Sequence, residues 1–152
     1  MRMLTTFSLV SFLLLFGFTS AHAADGMVVK PSQHSVGKTL DRLTKILKKK
    51  GITVFARVNH KAGGKKVGKK LHATQVLIFG NPELGTPLMQ SARTIGIDLP
   101  MKALAWKDAD GKVWIAYNDP AYLAKRHGIT DRKKIFKKMS GALNKLTSKA
   151  AN

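Results

Sequence analysis

The inner strands encoded by this sequence are apolar on both sides. Between Gln75 and Phe79, Val76 and Ile78 point one way while Leu77 and Phe79 point the other. Between Lys112 and Tyr117, Val113, Ile115 and Tyr117 oppose Trp114 and Ala116. An antiparallel sheet with one wet face alternates apolar and polar residues, so a sheet built from these segments has two apolar faces. Only two long amphipathic helices are available to cover them. Val36, Leu40, Leu43 and Leu47 recur at helical spacing, and so do Ile135, Met139, Ala142, Leu143 and Leu146. Two helices shelter one face. Because monomers tolerate an exposed apolar patch of only a few hundred Å², the other face must meet a second subunit, a ligand or the long connection from Asn81 to Pro100. The expectation is a homodimer or a self-covered pocket on that face, with the connection folded over it.

Local signals place the remaining elements. Met27–Lys30 reads as a strand stopped by Pro31, and Ser32 or Ser35 can cap the first helix. That helix ends with Lys48, Lys49 and Lys50 at its negative end and Gly51 as its left-handed stop. Ile52–Val58 alternates as a strand. His60–His72, with Gly63, Gly64, Gly68 and its lysines, reads as a loop or a frayed helix. Asn81 can cap, and Pro82 can open, a short helix made irregular by Pro87. Asp110-Gly111 joins strands Met101–Trp106 and Lys112–Tyr117 as a hairpin. Asn118-Asp119-Pro120 makes a turn, Ala121–His127 one or two helical turns ended by Gly128, and Thr130 caps the last helix, whose final residues fray. The order is strand, helix, four strands, helix: a single α+β domain over 24–152, its antiparallel sheet carrying the two main helices on one face.

Ahead of that domain, Arg2, the apolar block Phe7–Phe18 and Ala21-His22-Ala23 form a secretory signal over residues 1–23. As a helix the block spans about 18 Å, short of a hydrocarbon core of about 30 Å. The mature protein is expected in the periplasm or the medium, soluble and stabilised by packing alone, since the chain has no cysteine. The full chain's 27 Lys and Arg against 8 Asp and Glu give a formal charge of +19, of which the leader holds one. Such an excess draws polyanions. In an exported protein these are lipid headgroups, lipopolysaccharide phosphates or acidic wall polymers, which makes nucleic acid an unlikely partner.

Three stretches have a further likeness: Phe79–Met89 (FGNPELGTPLM), Asp98-Leu99-Pro100-Met101-Lys102, and Trp106–His127. Together they resemble the domain-of-unknown-function family 302. The resemblance implies a small α+β domain similar to the TATA-box-binding-protein-like group and implies no activity. It puts His60 and His127 at family histidine positions, and Asp98, Asn118 and Asp119 in the Asp-Leu-Pro and Asn-Asp-Pro motifs. Were His60, Asp98, Asp119 and His127 to converge at the strand ends, they could serve as acid and base or hold a ligand. Against this, Asn81, Asn118 and Asp119 adjoin prolines in turns, where such side chains cap backbone amides, and His127 sits at a helix C-terminus, where a cation is favoured anyway.

Candidate ligand contacts are Asn81, Thr86, Trp106, Trp114, Tyr117 and Asn118; the tryptophans could stack a ring or simply fill core. No nucleophile elbow, zinc-helix motif or phosphate-cradling loop is present, and the histidines are scattered, so no metal or cofactor is expected. Candidate anion contacts are Lys65, Lys66, Lys69 and Lys70 in the glycine-containing segment, and Lys133, Lys134, Lys137 and Lys138 on the last helix; a merely solvated face is the alternative. Gly63-Gly64 and Lys69 depart from the family pattern, so the first set belongs to this chain. These features point to an exported, non-enzymatic, homodimeric binding or accessory module with a basic surface for anionic envelope components. The alternative is a small-ligand binder or enzyme using the His/Asp cluster.

Overall fold

Ser35 starts the first helix, α1 (Val36–Lys49), by accepting a hydrogen bond from the Lys38 amide on its side chain. Gly51, at φ +69°, ends it in the left-handed region that glycine adopts without cost. Its apolar stripe of Val36, Leu40, Leu43 and Leu47 is buried as the spacing requires. The computed structural model describes residues 26–152, so the leader expected at 1–23 lies outside the described residues.

Five strands follow one another in a single antiparallel sheet: β1 (Met27–Ser32), β2 (Thr53–Asn59), β3 (Thr74–Gly80), β4 (Met101–Lys107) and β5 (Val113–Asn118). Their spatial order is β1-β5-β4-β3-β2. Between β2 and β3 stands α2 (His60–Lys66); between β3 and β4 stand α3 (Pro82–Ser91) and a 3₁₀ turn at Arg93–Ile97. After β5 come α4 (Pro120–Arg126) and α5 (Lys133–Ala151). The fold is therefore a single α+β domain.

α1 and α5 cover one sheet face, where Leu77, Phe79, Met101, Ala103, Ala105, Ile115 and Tyr117 join their leucines in one core. The opposite parity of the same strands, Val29, Val76, Ile78, Leu104, Trp106, Trp114 and Ala116, stays outside that core. The 82–97 connection does not lie on this second face. Leu88 and Ile95 join the core on the helix side, Arg132 Nε donates to the Pro87 carbonyl at 3.3 Å, and Ser91 Oγ donates to Asp131 Oδ2 at 2.9 Å. The connection is thus pinned to the N-terminal end of α5.

Several local expectations change. Pro31 does not stop β1, which continues to Ser32; as an edge strand it tolerates a residue without an amide hydrogen. The 60–72 segment contains a true helical turn, because the Asn59 side chain accepts from the Ala62 amide at 3.1 Å. Thr130 does not cap the last helix, which begins at Lys133 after Arg132 with no side-chain cap. Its buried arc is broader than the stripe read from spacing: Phe136, Thr147, Ala150 and Ala151 are buried, whereas Ile135 and Ala142 are only half-buried. α5 touches both α1 and the sheet, so two adjoining strips of its surface are covered.

Nor does the C-terminus fray. The Gln33 amide donates to Ala151 O at 2.9 Å, while Arg42 Nε and Nη2 donate to Ala150 O at 3.1 Å and Lys149 O at 3.0 Å. From β1, Lys30 Nζ reaches Asn144 O at 2.8 Å, Asn144 Oδ1 at 2.6 Å and Ser148 Oγ at 2.8 Å. Burial lowers the pKa of this lysine. At the other edge, Arg57 of β2 pairs with Asp41 of α1 and donates to Gly37 O at 3.1 Å.

Removing the cation that closes α5 frees its last carbonyls, so Arg42→Ala should cost about 1–2 kcal/mol. Hydrogen exchange should accelerate at Ser148–Asn152 before it does elsewhere. His34, enclosed beside this terminus, has its pKa lowered by desolvation and then by Arg42 and Lys38. The unfolded chain therefore takes up a proton that the folded chain resists, and stability should decline as pH falls below the ordinary histidine value of 6.5. Urea titrations at pH 7 and pH 5 should show this decline, and His34→Gln should flatten it.

Candidate functional site

Of the four residues whose convergence would make an acid–base site, the structure brings two together. Asp98 follows the 3₁₀ turn and His127 follows α4, and His127 Nε2 lies 2.7 Å from Asp98 Oδ2. A carboxylate only accepts, so Nε2 carries a proton. The other ring nitrogen, Nδ1, lies 3.1 Å from Thr94 Oγ1, and Arg126 Nη1 stands 3.5 Å from Asp98 Oδ1. The side chains of His127 and Asp98 are 6% and 11% exposed. Both ring nitrogens and both carboxylate oxygens are therefore engaged, with little of either group left to meet a substrate.

His60 and Asp119 are elsewhere. His60 is the exposed first residue of α2. Asp119 caps α4, its Oδ1 accepting from the Ala121 amide at 3.0 Å. Asn81 likewise caps α3, accepting from the Glu83 amide at 2.9 Å, and Asn118 closes β5 opposite Met27. The capping role argued from the adjoining prolines is what Asn81 and Asp119 perform. A four-residue acid–base cluster does not form.

What the motifs do build is a cavity of about 330 Å³ at the end of the sheet. The first motif contributes Phe79, Gly80, Asn81, Pro82, Leu84, Gly85, Thr86 and Met89; the second contributes Leu99, Pro100 and Met101. Ile52, Phe55 and the α5 residues Met139, Ala142, Leu143 and Leu146 complete the wall, and no charged side chain lines it. The motif sequence explains the shape. Asn81 and Pro82 turn the chain from β3 directly into α3. Gly80 lies against Pro100 and Gly85 against Leu99, where an added Cβ would stand 3.4 Å and 3.5 Å from them, so the two stretches face each other at close range. A bulge in β2 between Val54 and Ala56 falls at Phe55, an exposed residue (55%) that lines the cavity. Phe55 and the α5 wall were not read from the sequence, since a bulge shows only once the pairing register is known.

Of the ligand candidates, Asn81 and Thr86 line this cavity and the aromatic ones do not. Tyr117 is buried in the core, its ring centroid 5.8 Å from Lys30 Nζ. Trp106 and Trp114 face each other across β4 and β5 on the helix-free face. The Trp114 indole donates to Asp108 Oδ2 at 2.6 Å, the leading cause of a lowered Asp108 pKa.

The lysines form a second recess, of about 350 Å³, lined by Lys61, Lys65, Lys69, Lys70, Leu71 and His72. Gly68, at φ +69°, reverses the chain after α2. The Lys69 amide then donates to Gly64 O at 2.9 Å, and a Cβ on Gly64 would stand 3.4 Å from the Lys69 carbonyl. The glycines that spoil the segment as a regular helix thus allow its lysines to cluster. Val67 and Leu71 are exposed beside them. Lys66 is exposed outside the recess, and Lys133, Lys134, Lys137 and Lys138 are exposed on α5. Among the described residues no group of three or more His, Asp or Glu is placed to hold a metal ion.

Comparison with known proteins gives a family and a fold. The family model described as "Domain of unknown function DUF302" matches residues 28–146. A crystal structure of an uncharacterized conserved DUF302 protein from Bacillus stearothermophilus superposes with a TM-score of 0.75 at 18% identity, covering 84% of this chain and 99% of that one. In sequence, the chain is 53% identical over 104 residues to proteins named fluoride-specific ion channel FluC 1 in Brucella suis and Brucella abortus. The match covers 68% of this chain but only 41% and 38% of those proteins. The chain thus spans about two fifths of the length of the curated relatives it matches.

If the Asp98–His127 contact is a structural clamp, Asp98→Ala should lower stability by about 1–3 kcal/mol, because it leaves a buried hydrogen-bonding partner unpaired. Asp98→Asn, which can still accept from Nε2, should recover most of that loss in chemical denaturation. Equal loss in both variants would contradict a clamp built on this hydrogen bond.

Proposed function

This chain belongs to the DUF302 family, and we propose that it is an exported, non-enzymatic accessory module of the bacterial envelope that docks on anionic membrane surfaces through the lysine recess after α2. The observation that carries this reading is the recess itself: four lysines converge with no carboxylate among the lining residues, next to exposed Val67 and Leu71. Lysines near an anionic bilayer contribute about 1 kcal/mol each, and adjoining apolar side chains can enter the headgroup region as interfacial segments do. The signal at 1–23 supports export, and the closed Asp98–His127 pair weighs against acid–base chemistry at that site. The relatives named as ion channels support a membrane setting for a shared module. This chain has no helix among its described residues long and apolar enough to cross a bilayer.

A second copy of the chain is the partner proposed for the helix-free sheet face. Leu104, Trp106, Trp114, Val76 and Ile78 make that face apolar, and Lys102 is the charge that β4 adds to it. Mature chains, carrying the full +19 less the charge of Arg2, repel one another over most of their surface. A contact through this weakly charged patch brings the fewest lysines together.

Both parts are testable. Cosedimentation with phosphatidylglycerol vesicles should be strong at 50 mM salt and fall at least tenfold by 200 mM, and phosphatidylcholine should not bind. The triple variant Lys65→Ala/Lys69→Ala/Lys70→Ala should weaken binding by roughly a hundredfold. Binding that ignores salt or these substitutions would overturn the docking site. In sedimentation equilibrium the wild type should be dimeric and Leu104→Asp monomeric; a wild type that stays monomeric at high concentration removes the second copy.

A further inference from the structure

The cavity at the end of the sheet is the part of the molecule that the docking reading leaves without a role. We infer that it holds the alkyl chain of a single-chain anionic amphiphile, with Lys138 and Lys145 meeting the head group. This assignment stands apart from the membrane-docking recess, which lies on another element and is built from other residues.

The chemistry of the walls sets the class of ligand. An uncharged, almost wholly apolar lining excludes a sugar, a nucleotide or a charged group from the interior, since each would be buried without partners. The volume sets the number of chains. At about 330 Å³ the cavity holds about eleven groups the size of a water molecule (~30 Å³ each), and a methylene is of similar bulk. One chain of roughly ten carbons fits; the paired chains of a bilayer lipid do not. Met89, Met101 and Met139 contribute unbranched side chains that adapt to a flexible ligand.

The head group is set by α5. Ala142 lines the cavity and is only half-buried. Lys138 and Lys145 stand at i−4 and i+3 from it, on the same strip of the helix, and both are exposed. An anion leaving the mouth along this strip meets two ammonium groups. Glu83, between Pro82 and Leu84 in sequence, is not among the lining residues, and its Oε2 accepts from Asn81 Nδ2 at 3.4 Å. The stretches Phe79–Met89 and Asp98–Lys102 supply most of the wall.

Dodecanoate titrated into the purified mature chain, followed by methionine-methyl NMR, tests the assignment. Shifts are expected at Met89, Met101 and Met139 and not at Met27, which lies in β1 away from the cavity. No shift at the three lining methionines, or shifts spread over all of them alike, overturns it. Ala142→Trp, which plugs the mouth, should weaken dodecanoate at least tenfold. Lys138→Ala/Lys145→Ala should do the same for dodecanoate while leaving uncharged dodecanol unchanged. If dodecanol weakens equally, the head-group assignment is wrong. The Lys65/Lys69/Lys70 alanine variant should bind dodecanoate normally, so failure of the docking site and failure of the cavity are told apart. Phosphatidylglycerol vesicles should leave the three methyls unmoved; movement there would overturn the single-chain assignment.

Discussion

Helix α1 must lie close against the sheet beside α5, and two small residues make room for it. Ala103 and Ala105 sit at the centre of β4, both fully buried, with β5 and β3 on either side. Larger side chains there would lift α1 and open the layer that buries Leu40, Leu43, Leu47 and Ile115. Each such leucine or isoleucine contributes about 2 kcal/mol when fully buried. The flat centre sets the spacing, and polar ties at the edges set the position. Lys30 holds α5 from β1, Arg42 closes the end of α5 from α1, and Arg57 binds α1 to β2. These ties are long in sequence and short in space, which is why α5 remains helical to Ala151.

Much of this was legible because it depends on local chemistry. The α1 stripe, the Ser35 cap, the Gly51 stop, the Asp110-Gly111 hairpin and the Asn81 and Asp119 caps each involve residues a few positions apart, and each could be read from spacing. What escaped depends on pairing partners far along the chain. Pro31 continues a strand because β1 is an edge, and nothing near Pro31 says so. Ile135 was placed in the core and Phe136 was not, because the arc that α5 buries is dictated by two neighbours. The frayed ending assumed at the C-terminus ignored Gln33 and Arg42, more than a hundred residues away.

The candidate sites divide in the same way. The lysine clustering follows from Gly64 and Gly68, residues taken from sequence as signs of poor order. Poor helix formers here serve a tight reversal, and the reversal is what sets Lys69 and Lys70 against Lys61 and Lys65. The tryptophans show the opposite limit. From sequence they could stack a ring or fill core, yet each belongs to the helix-free face, where they pair across strands and one is fixed by Asp108.

The Asp-Leu-Pro motif shows how one short segment can serve two ends. Asp98 turns toward His127 and fixes the chain where it enters β4, while the next two residues, Leu99 and Pro100, form a wall of the cavity. A clamp on one residue therefore sets the shape of a pocket that it does not itself line. This accounts for a hydrogen-bonded pair so thoroughly engaged. The two side chains bond each other, His127 also meets Thr94 on the 3₁₀ turn that leads into the wall, and Asp98 pairs with Arg126 of α4. A catalytic pair needs an open side for the substrate, whereas a positioning pair is better without one, since water at the contact would loosen the wall it holds. The same aspartate and histidine that suggested chemistry in the sequence are, by their burial and their partners, better suited to keeping an apolar cavity in shape.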